Sequence, residues 1–299
     1  MNVSELSCGK IKSMNSRPKV TAVIVTFNNA KMLLELINDL LTQSYKLYEI
    51  IVVDNASKDH TRDMIENRFP EVKYIQLVQN TGSAGGYFKG IKSAFETCNL
   101  IWTLDDDVRL ESDSLEALVQ GLQKLESSTK VGSVRSVGKK HFSVKPTMLE
   151  LFPWRGTLIK TELINKYGFP LKELFLYGED LEYSMRFNKQ GFFCFWIPTS
   201  TCVEERLEDK EHYRIMGRTI RVYSKPFQFY YAFRNHLYIF WHYGDYRRLL
   251  RTLLYLLKTS FLIIIFDRRN PVGKLRAIIE GLIDACIGHL GIKKKYYPQ

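Results

Sequence analysis

The stretch LIWTLDDDV, residues 100–108, is a mostly apolar run that ends in three consecutive carboxylates, Asp105, Asp106 and Asp107. Adjacent like charges repel, and the repulsion grows as water is excluded, so a buried strand that finishes this way calls for a cation. Carboxylate oxygens suit hard divalent ions such as Mg²⁺ or Mn²⁺, which tend to share their coordination with a substrate's phosphates. On an extended strand alternate side chains share a face. Asp105 and Asp107 are therefore expected to reach one ion, with Asp106 pointing elsewhere, toward a sugar hydroxyl. The competing reading is a solvated acidic turn before a helix near Asp113, against which the apolar LIWTL run argues.

A second acidic group stands in YGEDLEYSMRF, where Glu179, Asp180 and Glu182 open an expected helix with Leu181, Met185 and Phe187 inward. A carboxylate held there could act as a general base. Acidic residues are also favoured at any helix N-terminus. The residues alone do not rank the three.

These groups need a scaffold, and the first half of the chain alternates strand and helix signals. TAVIVTF (21–27), EIIVVDN (49–55), KYIQLVQN (73–80) and LIWTLDD (100–106) read as strands. KMLLELINDLLTQ (31–43), SKDHTRDMIENRF (57–69) and GYFKGIKSAFETC (86–98) read as helices. The βαβαβαβ order predicts an α/β fold with a largely parallel sheet and helices on both faces. In such sheets ligands sit beyond the carboxyl ends of the strands, near a switch in strand order. Thr26, Phe27, Asn28 and Asn29 follow the first strand, Asp54 and Asn55 the second, Asn80 with TGSAGG the third, and the aspartates the fourth. Singly, Asn28, Asn29, Asp54, Asn55 and Ser57 are also good turn and cap residues; together the four strand ends point at one ligand. The glycines of NTGSAGGYFKG, Gly85 and Gly86 among them, lack both dinucleotide and P-loop spacing and predict a loop that lets backbone approach a ligand.

TAVIVTFNN, EIIVVDNASKDHT, QNTGSAGG, WTLDDDV and YGEDLEYSMRFNKQGF, in this order, resemble glycosyltransferase family 2, whose catalytic domain has the GT-A fold; the resemblance covers roughly residues 18–205. It implies an inverting transferase that uses a nucleotide-activated sugar and a divalent metal, Mn²⁺ or Mg²⁺. Thr26, Phe27, Asn28, Asp54, Asn80, Gly85 and Gly86 would surround the donor, with Asp54 a partner for a base N–H. Asp105 and Asp107 would be the metal-binding pair, with Asp105 and Asp106 also at the donor. Asp180 falls where the family places its base, with Glu179 beside it. Related enzymes often carry a metal-binding histidine after a later apolar strand, where this chain has IPTSTCVEER. Glu204 stands at that place as the expected third ligand, with Glu205 its alternative in register. GSAGGYFKG and the Trp before the aspartates most resemble galactofuranosyltransferases, so UDP-galactofuranose is the first expected donor and dTDP-rhamnose the second. A nucleotidyltransferase, the nearest competitor of another class, would carry a Gly-rich loop after the first strand, and VTFNNAKML has no glycine.

Charge divides the chain. Residues 1–205 carry 25 Lys/Arg and 25 Asp/Glu, and residues 206–299 carry 18 and 7, so the net charge of +11 belongs to the last third. Three parts are expected: an extension 1–17, a catalytic domain 18–205 with donor half 18–108 and acceptor half 109–205, and a helical region 206–299. Residues 249–266 are strongly apolar but interrupted by Arg251 and Lys258, which predicts a helix lying in a membrane interface in preference to a span. Its basic, aromatic setting fits an anionic membrane surface, where a lipid-linked saccharide acceptor would lie. Packing of these helices on protein with the bases in water is the plainer alternative. A nucleic-acid binder stacking bases on Tyr230, Tyr231 and Phe233 beside Arg234 is disfavoured by the neutral first part and the acidic pocket. Five scattered cysteines without a CxxC pair argue against a disulfide framework and for a reducing compartment, and the first residues lack an apolar signal segment. The expected location is cytoplasmic, peripheral at the inner face of the cell membrane.

Overall fold

The computed structural model describes residues 17–138, 145–205, 210–215, 218–267 and 269–298. Most of the expected extension, residues 1–16, lies outside them, as do residues 206–209 at the expected boundary between catalytic domain and helical region.

In chain order the elements are β1 (Val20–Thr26), α1 (Ala30–Leu41), β2 (Glu49–Asp54), α2 (Thr61–Arg68), β3 (Lys73–Gln76), α3 (Gly82–Ala94), β4 (Leu100–Asp105), β5 (Val108–Leu110), α4 (Ser114–Glu126), β6 (Val131–Val137), β7 (Thr147–Leu149), β8 (Thr157–Lys160), α5 (Thr161–Tyr167), α6 (Glu179–Lys189) and β9 (Phe193–Glu204). A hairpin of β10 (Lys210–Ile215) and β11 (Arg218–Tyr223) then leads to α7 (Pro226–Tyr243), α8 (Tyr246–Phe266) and α9 (Pro271–Cys286).

Nine strands form one sheet in the order β3-β2-β1-β4-β8-β6-β9-β5, with β7 added on β9. The first four are parallel, as the βαβ alternation predicts. Beyond β4 the sheet becomes mixed: β8 is antiparallel to β4 and β6, and β9 is parallel to β6. Strand β1 alternates its side chains between two cores. Val20, Ala22 and Ile24 pack under α1 and α4, and Val23 packs with Ile51 and Val53 under α3. Helices therefore cover both faces.

Three local expectations differ. The third strand ends at Gln76, because the chain turns outward at the fully exposed Val78. The glycine stretch is helix from Gly82 onward. A Cβ at Gly86 would collide with Val25 and one at Gly90 with Val23, so these glycines let α3 lie close on the sheet. Strand β4 ends at Asp105, and Asp106 and Asp107 form the turn into β5. The alternation that was to put Asp105 and Asp107 on one face stops there.

The C-terminal helices pack on one another and on the segment before α6 through a separate aromatic cluster built from Phe175, Phe229, Tyr230, Tyr231 and Phe233. Tyr230, Tyr231, Phe233 and Arg234 are buried, which rules them out as a stacking platform for bases. The four cysteines among the described residues are free thiols.

Candidate active site

The strand order places β1 between β2 and β4, so the chain leaves β1 toward one side of the sheet and returns to it on the other. Beyond this switch point lies a cavity of about 370 Å³ lined by Thr26, Phe27, Asn55, Asn80 and Ser83 on one side and by Asp105, Asp106 and Asp107 on the other. A larger cavity of about 610 Å³ opens at the opposite strand ends, against Pro18, Asn99 and Lys160. It lies at the wrong end for a parallel sheet, and Lys160 is already paired with Glu126 and Glu162.

The three aspartates have different surroundings. The Tyr87 hydroxyl lies 2.7 Å from Asp105 Oδ1, with the Tyr87 ring stacked 4.7 Å from Trp154. Asp106 accepts from the Thr26 hydroxyl at 2.6 Å, the Asn29 amide at 2.9 Å and the Phe27 backbone N–H at 3.3 Å. Its oxygens tie β4 to the end of β1, so the expected contact with a sugar hydroxyl gives way to a structural role. Asp107 receives no hydrogen bond to its carboxylate from another described residue. Burial and then the charges of Asp105 and Asp106 push its carboxyl up to about 7, while burial raises Asp106 to about 6 and Asp105 above its usual range. A pocket that disfavours its own ionised carboxylates is one that a cation stabilises.

Glu204 does not stand ready as a third ligand. It is ion-paired with Arg155, and among the described residues no cluster of three or more His, Cys, Asp or Glu side chains is gathered closely enough to hold a metal. Asp105 and Asp107 have the oxygens a hard cation needs; the Glu204 carboxylate is shared with Arg155, and its charge reaches Asp107. The Glu205 backbone N–H donates to the Asp107 carbonyl at 2.9 Å, and its side chain is exposed.

The second acidic group stands on α6 beside this cavity, tied to it through the lining residue Ser83. Gly178, at φ +89°, turns the chain into that helix and sets Glu179 and Asp180 in its first turn. Glu179 is buried; one oxygen accepts from the Ser83 hydroxyl and the other has no partner among the described residues. Burial, and next the adjacent Asp180 charge, raise its carboxyl. Asp180 is partly exposed, and burial followed by the Asp105 charge raises it as well. Glu182 is set apart: it holds Arg186 at 2.6 Å and the Tyr243 hydroxyl at 2.6 Å, which fastens α6 to the end of α7.

The remaining candidates divide. Thr26, Phe27 and Asn80 line the cavity. Asp54 is fully buried and its oxygens are taken by the Tyr74 hydroxyl (2.5 Å) and the Ser57 N–H (2.8 Å), so no oxygen faces a nucleotide base. Asn28 is exposed at φ +52° and bonds to Ser57 and Lys58, the turn-forming alternative. Gly85 and Gly86, within α3, face Thr81 and Val25 and do not line the cavity. Reading the sequence missed Ser83, Tyr87 and Arg155, and also Tyr177, Phe227 and Pro298, which line the cavity from distant segments. Ser83 and Tyr87 stand in the glycine stretch and Tyr177 opens the acidic segment, but nothing in either pattern marked them individually.

A family model for "Glycosyl transferase family 2" matches residues 21–181, more than half of the chain. The chain belongs to glycosyltransferase family 2. It is 24% identical over 217 residues to the galactofuranosyltransferase GlfT1 of Mycolicibacterium smegmatis, covering 62% of this chain and 68% of that protein. It is 33% identical over 108 residues to the GalNAc(5)-diNAcBac-PP-undecaprenol beta-1,3-glucosyltransferase of Campylobacter jejuni, a third of each chain. Among solved structures, Staphylococcus aureus TarS 1-349 in complex with UDP-GlcNAc superimposes with a TM-score of 0.60 at 17% identity, covering 89% of this chain and 81% of that one. The mannosyltransferase PcManGT of Pyrobaculum calidifontis, solved with GDP-Man and Mn²⁺, gives 0.56 at 15% identity, covering 92% and 89%. The fold of this family-2 enzyme is thus GT-A, and the protein is a nucleotide-sugar-dependent hexosyltransferase.

Proposed function

We propose that the enzyme transfers a sugar with inversion from a uridine-diphosphate donor, UDP-galactofuranose first, to a lipid-linked saccharide at a membrane surface. The observation that carries this reading is the gathering of carboxylates at the β1/β4 switch point: Asp105 and Asp107 line the cavity, and Glu179 and Asp180 stand beside it, Glu179 bonded to the lining Ser83 and both acids feeling the Asp105 charge. Single-displacement inversion needs a carboxylate that takes the proton of the acceptor hydroxyl as it attacks the anomeric carbon. Asp180, partly exposed and raised toward neutrality, suits that proton transfer, with Glu179 beside it anchored on Ser83. Asp105 and Asp107 would hold a divalent cation, Mn²⁺ or Mg²⁺, which when bound neutralises charge on the departing diphosphate. Thr26, Phe27 and Asn80 would border the donor.

The galactofuranosyltransferase relative favours the donor, and the undecaprenol-diphosphate relative favours a lipid-linked acceptor. The membrane surface is favoured by α8, a helix long and apolar enough by length and composition to cross a bilayer. Its Leu250, Leu254, Leu257, Phe261 and Ile264 form one exposed stripe, with Leu257 and Ile264 64% and 65% exposed. Helical spacing puts Arg247, Arg251 and Lys258 along one edge of that stripe. The opposite face packs on α7 and α9 through Leu256 and Ile263. A helix buried on one side, apolar on the other and basic along an edge suits attachment in the interface plane.

The test is a thermal-shift series of UDP, dTDP, GDP, CDP and ADP with Mn²⁺, with and without EDTA. A metal-dependent rise with UDP alone is expected. A rise with dTDP alone moves the donor to dTDP-rhamnose, and no rise with any nucleotide overturns the reading.

A further inference from the structure

Arg234 and Asn235 lie mid-way along α7, outside the acidic cavity, and both are buried. A buried guanidinium is costly unless its donors are matched. Arg234 Nη2 donates to the Leu174 carbonyl at 3.0 Å, Nη1 to the Gly291 carbonyl at 2.6 Å, and Nε to Asn235 Oδ1 at 2.8 Å. That last bond orients the Asn235 amide, whose nitrogen lies 2.9, 2.8 and 2.7 Å from the carbonyls of Leu174, Leu176 and Tyr177. The segment so gripped leads directly into Glu179 and Asp180.

That segment needs gripping. Phe175 and Tyr177 sit at φ +65° and +64°, in the left-handed region that bulky residues avoid, and Gly178 follows at +89°. Such strained conformations persist where their surroundings over-determine them. Released from Asn235, the segment can relax and carry Asp180 with it.

The same helix carries a second attachment. The Lys293 N–H donates to the Tyr231 hydroxyl at 3.1 Å, and Tyr296 is buried with its ring stacked 4.5 Å from Tyr230. These contacts deliver Tyr297 to the catalytic part, where its hydroxyl donates to the Asn80 carbonyl at 2.7 Å and its ring lies 5.9 Å from Phe175. Pro298 then lines the acidic cavity.

We propose that Asn235 and Tyr297 are positioning residues for glycosyl transfer: Asn235 holds the segment that carries Asp180, and Tyr297 holds the Asn80 side of the donor pocket. The helical region is then a wall of the active site as well as its outer face. This rests on the donor and base assignments above. The two residues act on different halves of the reaction, so their variants separate binding from turnover.

The experiment uses the full chain with Mn²⁺, titrating UDP by calorimetry and measuring nucleotide release from UDP-galactofuranose, or dTDP and dTDP-rhamnose if those are what the wild type binds. Asn235→Ala is expected to keep the nucleotide Kd within about twofold while turnover falls about 100-fold, the scale of an ångström-sized misplacement of a reacting group. Tyr297→Phe, which removes one hydroxyl from a half-buried position, is expected to weaken nucleotide binding about fivefold with turnover at saturating donor nearly unchanged. If Asn235→Ala fails to fold, Asn235 serves folding and its positioning role is overturned, while Tyr297→Phe tests the Tyr297 role independently. Variants that match the wild type, or that lose binding and turnover together in proportion to the folded fraction, overturn the positioning roles. A wild type that binds and turns over neither nucleotide overturns the donor reading itself, and the positioning roles with it.

Discussion

The sheet and the helices that follow it distribute polarity in opposite ways. In β1 the residues Val20, Ala22, Val23 and Ile24 are all fully buried, and polar groups gather at the strand end. In the C-terminal region the buried positions include Arg234, Asn235, Lys274 and Asp284, while Leu257, Ile264, Ile279 and Ile287 are exposed. The carboxylates differ too. Those of the cavity are raised by burial and by one another, whereas Asp267, Glu280 and Asp284 around α9 are held low by hydrogen bonds and charges from Lys274, Lys295, Arg276 and Lys293. The cavity sets like charges side by side, whereas around α9 each carboxylate faces a cation and the surplus basic residues of the region lie beside its exposed apolar face.

The contrast can be broken at its strongest point first. Asp180→Asn is expected to lower transfer by about 10²–10⁴-fold, the range of a general base, while the metal-dependent thermal shift with UDP is retained. Asp107→Ala should instead abolish that shift, and wild-type transfer by Asp180→Asn would remove the base assignment. In the helical region, Lys274 and Asp267 form a pair 2.5 Å apart with both side chains almost wholly buried. Lys274→Met leaves the buried Asp267 carboxylate without its cation, held by the Arg269 and Asn270 N–H groups, and is expected to cost about 3–5 kcal/mol, read by urea unfolding. A loss below about 1 kcal/mol would mean that water reaches Asp267.

The outer face offers a sharper test. Leu257→Glu combined with Ile264→Glu should stop the protein pelleting with anionic vesicles and change stability by less than about 0.5 kcal/mol per site, as exposed positions do. Undiminished pelleting would move the membrane contact elsewhere. The smallest effect concerns pH. The folded-state carboxyl of Glu280 is depressed to about 2 and those of Asp267 and Asp284 lie below their usual range. Their contribution to stability is therefore full above the unfolded carboxylate range, near pH 4, and is lost as pH falls through the folded values. A modest fall in melting temperature between about pH 4 and pH 2 is expected, and it should shrink in Glu280→Gln.

Sequence alone carried the first half of the fold, because strand and helix periodicities are local and because the residues after each strand must converge once the strands are parallel. Thr26, Phe27, Asn80 and the three aspartates follow from that. It also marked the acids of α6 and the apolar run of α8. It did not show the bonds of Asp106 to Thr26 and Asn29, which span nearly 80 residues, and it misassigned Gly85 and Gly86, because a helix packed close on a strand demands small residues as a ligand loop does. Asp54 was legible as polar at a strand end but not as a group already satisfied by Tyr74. The ion pair of Glu204 with Arg155, the grip of Asn235 on the segment before Asp180 and the reach of Tyr297 to Asn80 were decided only by the tertiary structure. A hydrogen bond between residues 217 positions apart depends on where two independently formed elements dock, and no local pattern encodes that distance.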